Sequence, residues 1–114
     1  MFKFERLEVW KKAVDLYGDI SRLSNSIHQR DQFSLGEQIR RASLSISANI
    51  AEATGREGVR ESRNFFNIAK GSVYEVLSLL FVMRSRGYLE EQEYTALYNR
   101  CDEIARMLSG MLNR

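Results

Sequence analysis

The residues able to do chemistry are few and poorly spaced for it. Histidine occurs once, at His28, and cysteine once, at Cys101. A di-iron bundle needs inward-facing Glu-x-x-His pairs on two helices, and a catalytic thiol needs an activating neighbour. One histidine in a polar "HQRDQ" segment and one thiol on an apolar seam supply neither. No glycine-rich phosphate loop, metal-ligand spacing or nucleophile–base arrangement occurs either. The sequence predicts no catalytic, cofactor-binding or metal site. His28 reads as a surface or capping residue and Cys101 as a buried, inert thiol.

Polar residues of another kind cluster in "QIRRASLSISANIAEATGR", residues 38–56. The spacing is helical, but paired arginines and serines are mixed with small apolar residues. At 100° per residue, Leu35, Ile39, Ala42, Ile46, Asn49 and Ala53 form a core seam. Asn49 then sits where a buried amide needs partners or costs roughly 1–3 kcal/mol; setting the packing register is its expected role. Arg41, Ser45 and Glu52 flank the seam. On the far side, Leu44, Ala48 and Ala51 recur at i, i+4, i+7 beside Ser47, where a monomeric bundle would carry charge. These four predict an interface between copies of the chain; a tightly packed monomer with a few exposed Leu and Ala is the alternative. Glu75 interrupts the apolar run 73–83 and, if buried, needs a partner, for which Arg41 or Lys70 is the expectation.

The elements that hold these residues are read as four helices at about 4–26, 35–56, 59–86 and 90–112 of a single domain, 1–114. Proline is absent, and Leu, Ala, Glu and Arg are abundant, which favours helix. In the first helix Leu7, Trp10, Val14 and Tyr17 form one stripe, and Ala13, Leu16, Ile20, Leu23 and Ile27 a second. Ser34 and Glu37 predict a capping box opening the second, and Gly55 and Gly58 its end. The third carries Phe66, Ala69, Val73, Val76, Leu80 and Met83, and the fourth Tyr94, Leu97, Cys101, Ile104, Leu108 and Met111. Trp10, Tyr74, Phe65 and Phe66 are read as core. Short connections make this an all-α, antiparallel up-down four-helix bundle.

Seventeen basic against fifteen acidic residues leave a net charge of +2, too little to imply a polyanion partner alone. The charge is uneven, however: residues 58–88 carry five Lys/Arg against two Glu, and 89–114 three Arg against five acids. The longest apolar stretch, 73–83, falls short of the ~20 residues that cross a bilayer. With no apolar leader and a single cysteine, a cytoplasmic protein with no membrane contact is expected.

Three pieces, "LEVWKKA" (7–13), "QIRRASLSISANIAEATGR" (38–56) and "FFNIAKGSVYEVLSLL" (65–80), resemble the four-helix-bundle proteins encoded in intervening sequences of bacterial 23S ribosomal RNA genes, the S23-type family. With the closing helix the likeness covers nearly the whole chain. Two departures stand out: Ala53 replaces a common glycine, and "SIHQRDQFSL" lacks the family's frequent proline. The resemblance implies a homopentameric ring. A distant relative, the accessory factor of diversity-generating retroelements, is a basic ring that binds nucleic acid and a reverse transcriptase. By that likeness Arg40, Arg41, Arg56, Arg60 and Arg63 become candidates for contacting RNA or another nucleic acid. The expected function is a non-catalytic, self-assembling bundle that binds nucleic acid, or a protein bound to it. The alternative is a protein–protein adaptor with no nucleic-acid role.

Overall fold

The computed structural model describes residues 1–113. Four long helices carry the fold: α1 (Glu8–Ser24), α2 (Glu37–Gly55), α3 (Val59–Ser85) and α4 (Glu91–Leu112). Each packs on its sequence neighbours, and α4 returns to α1. Side-chain pairs fix the directions: Ser24 meets Arg40, Ser45 meets Ser72, Arg84 meets Glu91 and Asp19 meets Arg100. Neighbours therefore run antiparallel around one core. The bundle measures 43 × 24 × 23 Å, and no strand occurs among the described residues.

Helix α1 does not run unbroken from residue 4. A 3-10 turn, Lys3–Arg6, precedes it, and Leu7 between them is extended. The break lets Phe4 fold back edge-on to Trp10, with ring centroids 4.9 Å apart. Both rings are half-buried there, and their edge-to-face packing favours the break over a continuous turn of helix.

The approach to α2 differs more. Helical structure begins at a short turn, Gln29–Asp31, capped by His28, whose Nδ1 accepts from the Arg30 amide at 3.1 Å. A π-helical turn, Gln32–Gly36, follows and runs into α2. No Ser34–Glu37 box forms: Ser34 Oγ donates to the Asp31 carbonyl, and Glu37 faces Arg41 at 3.6 Å. The wider turn aims Gln32 back at the end of α1, where its Nε2 donates to the Ser24 and Ile27 carbonyls at 2.8 and 2.9 Å. Arg40 completes the clamp, donating to Ser24 Oγ and Gln32 Oε1 at 3.0 and 3.1 Å. Gly36 makes the room, because a Cβ there would lie 2.6 Å from Gln32 Oε1.

The inner seam of α2 is Ile39, Ala42, Ile46, Ile50 and Ala53, so Ile50 takes the place assigned to Asn49. Asn49 is half-buried on the α3 side, its Nδ2 donating to Ser45 O and Oγ at 2.8 and 2.9 Å. Ser45 and Ser72 exchange a 2.9 Å hydroxyl contact. Small serine side chains at this crossing leave room for α2 and α3 to approach, which accounts for part of the serine content of residues 38–56. Among the described residues no buried side-chain polar atom lacks a partner.

Helix α3 corrects two expectations. Over eighteen residues it is long and apolar enough to cross a membrane by length and composition alone, and 28% of that stretch is buried in the bundle; the run 73–83 understated it. Its inner residues Phe66, Ala69, Val73, Val76, Leu80 and Met83 fill the core. Tyr74, read as core, is 58% exposed. Gly87, at φ +82°, closes the helix end, where the Tyr88 amide donates to the Met83 carbonyl at 2.8 Å. Glu90 caps the start of helix α4, its amide donating to Glu93 Oε1 at 3.0 Å.

Candidate interaction surfaces

The five arginines do not form one patch. Arg40 and Arg41 open α2 and Arg56 follows its end, about 22 Å along the axis at 1.5 Å per residue. Arg40 turns inward to the Ser24–Gln32 clamp and is occupied there. Arg41 is exposed beside Glu37. Arg56 lies over the Phe65 ring, 4.8 Å from its centroid, and pairs with Glu52 at 2.8 Å.

Arg60 and Arg63 lie near the start of α3. With Glu61, Asn64 and Asn67 they line a shallow surface depression. Arg63 also donates to the Leu112 carbonyl in the last turn of α4, a cation at a helix C-terminus. Asn64 and Asn67 escaped the sequence reading. Their signal was a polar i, i+4, i+7 stripe from Arg60, on a helix read for its apolar positions only.

The residues assigned to an interface divide. Leu44 is 49% exposed, Ala48 is exposed and Ala51 half-buried, so they form an outer crest. Ser47 lies inside the subunit, 7% exposed, with Oγ donating to the Leu44 carbonyl at 3.1 Å. Beyond Leu44, Ala48 and Ala51 join Glu52, Gly55 and Arg56 around a second shallow depression. Glu75 is exposed and accepts from Gln38 Nε2 at 2.9 Å. Neither Arg41 nor Lys70 neutralises it, and no buried charge pair exists there.

A larger apolar set lies on the outside of α3 and α4: Ile68, Tyr74, Phe81, Val82 and Tyr98, each 39–58% exposed. Arg84 stacks between Phe81 and Tyr94, at 5.1 and 3.8 Å from the ring centroids, and pairs with Glu91 at 3.0 Å. In the sequence the apolar residues of 73–83 point in nearly every direction around the helix, which marks it as apolar on more than one face; which of them stay outside is not legible there, and Tyr74 reads as core.

A second clamp joins the two turns at one end of the bundle. Asp31 accepts from the Tyr88 hydroxyl and, at 2.9 Å, from Arg86. These two donors, the tyrosine first, hold its carboxyl below the usual carboxylate range. Cys101 is fully buried, and that burial pushes its thiol up to about 12. Among the described residues no group of three or more His, Cys, Asp or Glu is placed to hold a metal ion.

The fold has counterparts. A crystal structure of a protein of unknown function from the S23 ribosomal protein family of Bacteroides thetaiotaomicron VPI-5482 superimposes with a TM-score of 0.86 and 25% identity, over 93% of this chain and 99% of that one. No curated protein matches. The family model described as 23S rRNA-intervening sequence protein matches residues 5–110. On that span, with the same helical architecture in the S23 structure, the chain belongs to the 23S rRNA-intervening sequence protein family.

Proposed function

We propose that this chain is a non-catalytic scaffold that assembles with copies of itself, in the five-membered ring that the family resemblance implies. The observation that carries the reading is the half-exposed Leu44, mid-helix on α2 beside exposed Ala48, on the side where a lone bundle would carry charge. Fully burying a large apolar side chain is worth roughly 1.5–3 kcal/mol, so covering Leu44 together with the exposed aromatics of α3 supplies a strong drive to associate. Cys101 is buried with a raised thiol pKa and His28 is engaged as a helix cap, which supports a role without catalysis. The lone buried cysteine fits a reducing, cytoplasmic setting.

The test is solution mass by light scattering. A defined multiple of the 13.2 kDa chain mass is expected, falling to the single-chain mass in Leu44→Glu. A wild-type chain at single-subunit mass at micromolar concentration sinks the reading.

A second reading adds RNA at the turn between α2 and α3, and the depression lined by Arg60, Arg63, Asn64 and Asn67 favours it. Guanidinium and amide donors side by side suit phosphate and base edges. Glu52, Glu57 and Glu61 stand among Arg56, Arg60 and Arg63, so one subunit has no net charge there. Useful affinity then depends on several copies acting together. A gel shift with structured RNA is expected to weaken steeply with salt and to weaken further in Arg60→Ala. Binding that ignores salt, or none at low salt, leaves the scaffold as an adaptor for proteins, including a nucleic-acid-bound one.

A further inference from the structure

From the outer surfaces of α2 and α3 we infer that copies join head to tail: the aromatic crest of α3, with Tyr74 and Phe81, seats on the small-residue crest of α2 in the next copy. This rests on the self-assembly reading and names its two mating surfaces. Three observations support it.

The first is shape. The α2 crest is low beyond Leu44, where Ala48, Ala51 and Gly55, with the Glu52–Arg56 ion pair at their edge, surround a depression. The α3 crest is tall, with Tyr74 and Phe81 at 58% and 52% exposure. Knobs of that size fit a row of small residues, whereas neither crest complements itself.

The second is glycine. Gly71 lies mid-way along α3, one turn before Tyr74 and exposed. A Cβ there would meet nothing within 4 Å, and Gly87 alone has positive φ among the described residues. Glycine inside a helix weakens it relative to alanine, and the subunit gives no reason for it at Gly71 or at Gly110 in α4, whose Cβ position is equally empty. Of the two, Gly71 stands one turn from Tyr74, where a second backbone seated on the α3 crest would come close. Gly55 on the other crest is equally free of contacts at its Cβ position.

The third is area. Tyr74, Phe81 and Tyr98, each about half exposed, present on the order of 300–400 Å² of aromatic surface. A bundle face 43 Å long and about 20 Å wide, two helix diameters, supplies the ~800 Å² per partner of a stable complex. A contact between two different surfaces cannot end at a two-fold dimer; it closes into a ring where the rotation at each step divides a full turn, and otherwise grows as a filament.

The experiment mixes two full-length variants, each lacking one crest. Leu44→Glu spoils the α2 crest, and Tyr74→Ser with Phe81→Ser spoils the α3 crest. Both changes lie on exposed positions, and far-ultraviolet circular dichroism confirms that each chain is helical; Ala48→Arg replaces Leu44→Glu if that chain is not. Light scattering is expected to give the single-chain mass for each variant alone. An equimolar mixture is expected to double that mass and go no further, because one intact pair of crests remains. The inference is overturned if the Tyr74/Phe81 variant keeps the wild-type mass, or if the folded variants stay single when mixed. In both cases a multimeric wild type leaves self-assembly standing, whereas a single-subunit wild type removes that reading as well.

Discussion

On its inner side α2 presents Ile39, Ile46 and Ile50, each with no exposed surface, whereas on its outer side Leu44 keeps 49% of its surface exposed. The same nineteen-residue helix is fully used in one direction and sparingly in the other. At its start the polar residues follow the inner pattern, since Arg40, Gln32 and Ser24 satisfy one another. On the outer crest no side chain of the subunit fills the depression beside Ala48 and Ala51. Within one helix, then, residues that stabilise the subunit can be told from residues left for something else. The criterion is whether the subunit itself supplies their contacts.

Substitutions that respect or cross this division test it. The largest effect belongs to Ile46→Ala, which opens a cavity at a fully buried site. A loss of about 3 kcal/mol in chemical denaturation is expected, against less than about 0.5 kcal/mol for Leu44→Ala on the outside when both are measured at a concentration where the chain is a single subunit. Equal losses at the two positions would erase the distinction.

Next comes Arg40→Ala, which strips the Gln32–Ser24 clamp of its charged donor. Hydrogen bonds to a charged group contribute about 1.5–3 kcal/mol, so a loss of about 2 kcal/mol is expected from the same measurement. An unchanged unfolding midpoint shows Arg40 free to leave the clamp, and restores it as a candidate for an outside partner.

Acid tests the other clamp. The folded-state pKa of Asp31 is lowered by Tyr88 and Arg86, so its stabilising contribution is present above the unfolded value, about 3.9. It is lost as pH falls through the folded pKa. The melting temperature of the wild type should exceed that of Asp31→Asn by a constant amount above about pH 5 and converge on it below about pH 4. Curves that stay parallel to the acid end mean that Asp31 is not held in this way.

The smallest effect is expected at Glu75→Leu. The carboxylate is exposed and accepts one hydrogen bond from Gln38, so the melting point should shift by no more than about 0.5 kcal/mol in stability terms. A loss of several kcal/mol points to a buried charge that the geometry does not contain.

Some of this was legible in the order of residues. The third-helix seam from Phe66 to Met83 and the fourth-helix positions Leu97, Cys101, Ile104 and Leu108 are buried, because a strong 3.6-residue period leaves one way to hide apolar surface. The exposed crest at Leu44 and Ala48 followed from the same projection. Asn49 did not: at 100° per residue it and Ile50 fall on either flank of the seam's centre, and the projection alone does not say which flank packs deeper. Ser47 was misplaced for the same reason, since it lies near the boundary between the two sides.

What the sequence determined by itself was local. Helix-forming residues, glycine stops and apolar period dictate four helices and their inner faces, because these depend on residues within a few turns of one another. What only the tertiary structure decided was which polar groups find each other across the chain. Arg40 meets Gln32 through a π-helical turn, Asp31 meets Tyr88 across 57 residues of sequence, and Glu75 takes Gln38 in place of a cation. Hydrogen bonds of this kind depend on helix register and on the path of the turns to within about half an ångström, and no periodicity in a single strand of letters carries that information.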